Sequence, residues 1–270
     1  MNVSRRTALS ALIAVAVARA QTTASDREWS TFITWLRDLP SGTIGNQREA
    51  FAAYRKKLIG DGLQAADAEA IAMRLQKRSI DNPEFTAANF DRLYRGAADR
   101  FVKPDASLVE LVHALKPGKA LDIGMGQGRN AVFLAQQGWD VIGLDLSEVG
   151  VAEAQDRARK LGLRIDARVQ DVFRFDYGRD QWDLVCLMYF IIPASQPGLY
   201  QRIANGVRPG GRVIVEGTGV PPLETLLTEV NKWMATKLQV VKLDYHDDPG
   251  GGWGRRTDVP SSHLILQKPS

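Results

Sequence analysis

The stretch Ala120-Leu-Asp-Ile-Gly124-Met-Gly126-Gln-Gly128-Arg-Asn130 limits the fold more than any other part of the chain. An apolar run that stops at glycines on alternate positions, then passes into helix-forming residues, reads as a buried strand turning tightly into a helix. The same rhythm repeats downstream. Asn130 to Gln137 is a helix, Asp140–Asp145 a second strand, and Ser147 to Leu161 a helix with Ser147 as its N-cap. Ile165–Val172 and Trp182–Phe190 read as the third and fourth strands. A helix over Leu199–Val207 and the turn Arg208-Pro-Gly-Gly211 lead into a fifth strand, Arg212–Glu216. Strands apolar on both faces and separated by helices predict an α/β fold, a mostly parallel sheet with helices on both faces. Gln239–Tyr245 and His263–Gln267 have no helix between them, so the last strand is expected to be antiparallel.

Upstream the periodicity changes. Trp29, Phe32, Ile33 and Leu36 recur at helical spacing, Asn46 is placed to cap a helix through Phe51, Tyr54 and Leu58, and Ala65 to Arg78 forms a third amphipathic segment. The very start is different again. Arg5 and Arg6 precede an apolar stretch from Ala8 to Ala18, and Ala18-Arg19-Ala20 puts small residues where a signal peptidase reads them. Ser4-Arg5-Arg6-Thr7-Ala8-Leu9 is similar to a twin-arginine export signal, with Ala8 where a Phe is usual. The organisation expected is a signal peptide over 1–20, a small helical region over 21–85 and one α/β domain over 86–270. Export to the periplasm follows, with the cytoplasm as the alternative. The eleven-residue apolar stretch is too short for a comfortable membrane span, so none is expected after its removal.

Removal of the leader also decides what the charge means. The whole chain has 35 Lys+Arg against 31 Asp+Glu and a pI near 9.2, which invites a nucleic-acid reading. Three of those arginines lie in residues 1–20, which hold no acid, leaving 32 basic residues against 31 acidic ones. No basic run interleaved with aromatics occurs, so no nucleic-acid partner is expected. The lone Cys186 excludes an internal disulfide and a cysteine-clustered zinc site. His246 with Asp244, Asp247 and Asp248 reads as a polar turn, so no metal is expected.

Ligands of open α/β sheets bind at the carboxyl ends of the strands. A nicotinamide-binding turn places its third glycine at the position held here by Arg129, one residue beyond Gly128. Acids recur at the strand ends: Asp122 in the first, Asp145 ending the second, Asp171 ending the third. Such a set repels a pyrophosphate and suits a ligand bearing an ammonium, a sulfonium, a ribose diol and an adenine amine.

On Leu121-Asp-Ile-Gly-Met-Gly-Gln-Gly128, Asp145, Asp171-Val172, Trp182-Asp-Leu-Val185 and Arg208-Pro-Gly-Gly-Arg212, the sequence resembles the class I S-adenosylmethionine-dependent methyltransferases. Gly126-Gln-Gly-Arg-Asn-Ala131 and Gln137-Gly-Trp-Asp-Val141 give it the flavour of the tellurite-resistance-type, small-molecule group. The resemblance runs from about Asn89 to Gln267 and implies a Rossmann-like sheet of seven strands. It implies S-adenosyl-L-methionine as cofactor, with Asp122, Gly124, Met125, Gly126, Gly128 and Asn130 around its methionine part. It implies Asp145 and Leu146 at the ribose, Asp171 and Val172 at the adenine, and Leu187, with Met188 and Tyr189, bordering the sulfonium.

Methyl transfer is an in-line displacement that positioning can largely supply, so no catalytic residue is assigned. Tyr189 and Glu216 lie nearest by analogy, and both read as pocket wall or cap. The acceptor is expected to be a small molecule, met by Phe90–Phe101 and by a lid from His246 to Ser262 carrying Trp253, Arg255 and Arg256. Two other readings stay open: a degenerate cofactor-binding module serving as an interaction domain, and a nicotinamide-dependent oxidoreductase. Oligomeric state is not legible.

Overall fold

The computed structural model describes residues 25–44, 47–95, 102–190, 192–218, 223–247 and 260–270. The expected signal peptide, Asn46, Phe101 and the lid residues Asp248, Trp253, Arg255 and Arg256 lie outside them. The chain divides into two compact units, 1–92 and 93–270, so the division falls within a helix, Pro83–Tyr94, rather than at residue 85.

The first unit contains α1 (25–38), α2 (Gln47–Gly60), α3 (Ala65–Ser79) and most of α4 (Pro83–Tyr94). Its apolar positions converge as their spacing predicts. Phe32 is fully buried and its ring lies 5.0 to 6.1 Å from those of Trp29, Trp35, Phe51, Tyr54 and Phe85. The indole of Trp29 donates to Glu84 Oε2 at 2.6 Å, so its polar edge is satisfied as its body is buried.

The second unit follows the strand–helix alternation: α5 (Ala106–His113), β1 (Lys119–Ile123), α6 (Arg129–Gln136), β2 (Asp140–Asp145), α7 (Glu148–Lys160), β3 (Asp166–Val169), β4 (Trp182–Met188), α8 (Gly198–Gly206), β5 (Val207–Thr218), α9 (Leu223–Met234), β6 (Gln239–Asp247) and β7 (Pro260–Gln267). The sheet has seven strands in the order β3-β2-β1-β4-β5-β7-β6. All pairings among β1 to β5 are parallel, and β7 is antiparallel to both β5 and β6. This is the expected mostly parallel, Rossmann-like arrangement.

The apolar strands are explained by two cores, one on each face. Leu121, Ile123, Val185, Leu187 and Val213 pack with Leu199, Ile203 and Trp233 from α8 and α9. Their neighbours Ala120, Leu184, Cys186, Met188 and Ile214 pack on the other face with Leu108, Leu134 and Val151 from α5, α6 and α7. Successive side chains point to opposite faces, so only continuous apolar runs can serve both cores.

Several element ends differ from expectation for local reasons. Ser147 caps α7 as predicted, accepting the Gly150 N–H at 3.0 Å. β3 stops at Val169 rather than Val172, because Asp171 turns the chain by accepting the Phe173 N–H at 2.9 Å. β4 stops at Met188 rather than Phe190, because Tyr189 turns with φ 61°. β5 begins at Val207 instead of Arg212, with its register shifted across the Arg208–Gly211 turn. The order of strands reverses between β1 and β4, and the carboxyl ends of these two strands border the candidate site.

Candidate functional site

The site grows from the turn after β1. Gly124, Gly126 and Gly128 have φ of 69°, 55° and 75°, a left-handed region that side chains enter at a cost. The turn is tied to β2, since the N–H groups of Gly124 and Met125 both donate to Leu144 O, at 2.8 and 3.0 Å. Asp145 completes the tie. Its Oδ2 accepts the Gly126 N–H and its Oδ1 the Ser147 N–H, each at 2.8 Å. Asp145 therefore ties the turn to the start of α7.

A cleft with about 50 Å³ of free volume lies against this turn. It is lined by Asp122, Gly124, Met125, Gly126 and Asn130 among the expected residues, and by Tyr94, Gln127, Arg129, Met188 and Tyr189 besides. Gly128, Asp145, Leu146, Asp171, Val172 and Leu187 are not on its walls. Leu187 is fully buried in the core, so it has only backbone to offer. Asp171 sits beyond β3, its carboxylate on the Phe173 N–H and 3.6 Å from Arg174 Nε.

Asp122 is the unusual group. It is almost wholly buried, and its Oδ2 has no hydrogen-bond partner. Burial pushes its carboxyl up to about 7; Arg129 pulls it down, Asp145 pushes it further up, and the Ala131 N–H lowers it. An orphaned buried acceptor is costly unless something else satisfies it.

Two aromatic rings cover the same cradle. A Cβ added at Gly126 would meet Tyr94 Oη at 2.6 Å, and one at Gly124 would meet Phe190 Cδ2 at 2.8 Å. Tyr94 also packs on Gly150 at the start of α7, and its phenol is pushed well up by burial, with Asp145 adding to the effect. Tyr94 and Phe190 therefore stand directly over the glycine turn.

Tyr189 closes the other side. Its φ of 61° is rare for a non-glycine residue and costs on the order of 1 kcal/mol. The turn is held by its N–H donating to Glu216 O at 2.7 Å, and the Arg129 guanidinium lies 5.2 Å from the centre of its ring. Sequence reasoning missed Asp105 and Arg129 as parts of this site, whereas Tyr94 belongs to the Phe90–Phe101 stretch expected to meet the acceptor. Asp105 lies before the glycine motif, where nothing in the spacing marks it. Arg129 was read only as the residue displacing a third glycine.

The residues present fit S-adenosylmethionine. Asp122 Oδ2 is a buried acceptor without a hydrogen-bond partner, suited to an ammonium group, and the alternate glycines of the turn beside it allow close approach. Among the described residues, no group of three or more His, Cys, Asp or Glu is placed to share a metal ion, and no helix is long and apolar enough to cross a membrane.

Residues 120–211 match the family described as methyltransferase domain. Phosphoethanolamine N-methyltransferase 3 of Arabidopsis thaliana is 27% identical over 147 residues, 52% of this chain and 30% of that protein. Ubiquinone biosynthesis O-methyltransferase of Azorhizobium caulinodans is 31% identical over 102 residues, 37% of this chain and 40% of that protein. The chain thus spans well under half the length of either relative. Among solved structures, Burkholderia thailandensis 1,6-didemethyltoxoflavin-N1-methyltransferase, with bound 1,6-didemethyltoxoflavin and S-adenosylhomocysteine, matches with a TM-score of 0.55 at 20% identity, covering 70% of this chain and 91% of that one. That likeness is one of fold. Taken with the glycine turn and its acids, these matches show that the chain carries a methyltransferase domain over residues 120–211, similar to those of S-adenosylmethionine-dependent enzymes.

Proposed function

We propose that the protein transfers a methyl group from S-adenosylmethionine to a small-molecule acceptor, and that it does so outside the cytoplasm. The observation that carries the first part is Asp122. A buried, partnerless carboxylate oxygen at a glycine turn is stabilised by a cationic ligand, and the methionine ammonium of the cofactor is one. The relatives' names print transfer to nitrogen in one case and to oxygen in another, so the acceptor is proposed only as small and nucleophilic.

In this reading the bound cofactor supplies an electrophilic methyl group on a positively charged sulfur. The protein's own groups do the rest. Asp122 and the Gly124–Gly128 turn hold the methionine part, and Asp145 receives the ribose hydroxyls while anchoring Gly126. Asp171 and Val172 receive the adenine where β3 ends. Met188 and Tyr189 wall the acceptor's approach, and Tyr94 and Phe190, lying over the turn, help exclude water. Alignment at contact distance then supplies much of the rate.

Calorimetric titration of the whole chain tests this. S-adenosylhomocysteine should bind and NAD should not, and radiolabelled S-adenosylmethionine should donate its methyl to at least one small acceptor. Binding of NAD alone would replace the reading with an oxidoreductase. Cofactor binding with no turnover would replace it with an interaction module. Export rests on the order of Arg5, Arg6, the apolar stretch and Ala18-Arg19-Ala20.

A further inference from the structure

A connected set of buried polar groups stands behind the acceptor wall, and cofactor binding does not use it. The Tyr189 hydroxyl donates to Asp105 Oδ2 at 3.1 Å. Asp105 caps α5, its Oδ1 accepting the Ser107 N–H at 3.0 Å and the Ser107 hydroxyl at 2.7 Å. The same Ser107 Oγ lies 3.0 Å from Glu216 Oε2. Asp105, Ser107 and Glu216 are all buried, at 8%, 6% and 1% exposure.

Ser107 has a single hydroxyl hydrogen and faces two carboxylate oxygens, so the set is rich in acceptors. A proton arriving through Tyr189 reaches Asp105 Oδ2, an acceptor already in hydrogen-bond contact with the phenol. The surroundings are mixed in sign. Arg129 of α6 lies 3.7 Å from Asp105 Oδ2 and also interacts with Asp122 of β1, Cys186 of β4 lies close enough to feel both acids, and His263 of β7 pairs in register with Glu216 of β5. The strained φ of Tyr189 is what turns its ring to the cleft with its hydroxyl on Asp105.

We propose that Tyr189 takes the acceptor's proton during methyl transfer and hands its own to Asp105, so that the site is built for acceptors whose nucleophilic atom carries a proton. The inference rests on the methyltransferase reading. In the step, the acceptor's lone pair forms the new bond to the methyl carbon and the carbon–sulfur pair returns to sulfur. The acceptor's proton moves to Tyr189 Oη as the phenol proton moves to Asp105 Oδ2, from which it later leaves to water. Tyr189 is the catalytic group, and Asp105 is the residue that positions it.

The test compares the whole chain with Tyr189→Phe and Asp105→Asn. Phenylalanine keeps the ring under Arg129, and asparagine remains a good helix cap, so both variants retain the local structure. Methyl transfer is followed from pH 6 to 10 with protic acceptors (a thiol, a catechol, a primary amine) and with aprotic ones (iodide, dimethyl sulfide). Both variants should lose about 100-fold in kcat with protic acceptors near neutral pH. The loss should shrink towards the acceptor's own pKa, where solvent supplies the deprotonated nucleophile. S-adenosylhomocysteine affinity should change by less than about threefold, since neither group holds the cofactor. Equal losses on aprotic acceptors or a pH-independent loss would overturn the proposal, as would wild-type kcat in both variants. So would a wild-type chain that binds S-adenosylhomocysteine but methylates no protic acceptor, and that result leaves the cofactor reading intact. Failure to bind S-adenosylhomocysteine overturns the cofactor reading itself.

Discussion

At the scale of single residues, Asp122 carries the most consequence. Its ordinary pKa of 3.8 is pushed up to about 7, chiefly by burial, so the folded state holds its proton where the unfolded chain has released it. Between about pH 4 and 7 the native state therefore binds more protons, and this group's contribution to stability falls as pH rises; above 7 it is constant. The difference between the two pKa values corresponds to roughly 4 kcal/mol at its limit. Asp122→Asn removes the titration. The variant should become more stable than the ligand-free parent by an amount that grows from pH 4 to 7 and then levels, measured as urea midpoints across that range. The same variant should bind S-adenosylhomocysteine far more weakly at pH 8, because the ionised oxygen that attracts the ammonium is gone. A pH-independent stability difference would mean that Asp122 is not buried with its charge uncompensated.

At the scale of elements, the third glycine of the turn has a different duty from the first two. Gly128 caps α6 with φ 75°, and a Cβ there would lie 2.5 Å from Ala154 Cβ and 3.1 Å from Ala154 Cα on α7. Gly128 thus sets how closely α7 packs on the turn. Gly128→Ala should destabilise by about 2–4 kcal/mol, combining a left-handed alanine with an overpacked helix contact. Ala154→Gly alone should also destabilise, by about 1 kcal/mol from helix propensity. Combined with Gly128→Ala it should recover part of the loss, because it removes the Cβ that is struck. Chemical denaturation of the four proteins closes the double-mutant cycle, and strict additivity would place the cost in backbone strain alone. The elements also divide by how legible they were. Asp140–Asp145 and the Ser147 cap could be read directly, because an apolar run and a capping residue act locally. The ends of β3 and β4 were overrun by three and two residues. β3 gives way to an aspartate turn whose polar residues also occur within strands, and β4 stops at a left-handed tyrosine that leaves the apolar run unbroken.

At the scale of the whole molecule, the sheet and its antiparallel last strand followed from the pattern of runs, since two covered faces demand continuous apolar strands. The site was legible in part. Asp122, Gly124, Met125, Gly126 and Asn130 share one motif and one cleft, and Tyr94 and Tyr189 fall in stretches expected near the ligand, whereas Asp105 is brought to Tyr189 by tertiary packing alone. Charge is the property that changes most when the molecule is taken whole. The basic balance of 35 against 31 depends on Arg5, Arg6 and Arg19, and the remainder holds 32 against 31. Those arginines flank an apolar stretch in the order an export signal requires, and under the proposed export the excess belongs to targeting and not to binding. The protein expressed in its own host should be recovered from the periplasm with Gln21 as its first residue. Replacing Arg5 and Arg6 together with Lys should keep it in the cytoplasm if the twin-arginine route carries it, because that route reads the guanidinium pair and not charge alone. Fractionation followed by N-terminal sequencing decides the matter. A cytoplasmic protein that retains Met1 would defeat export, return three positive charges to the working molecule, and reopen the search for an acidic partner.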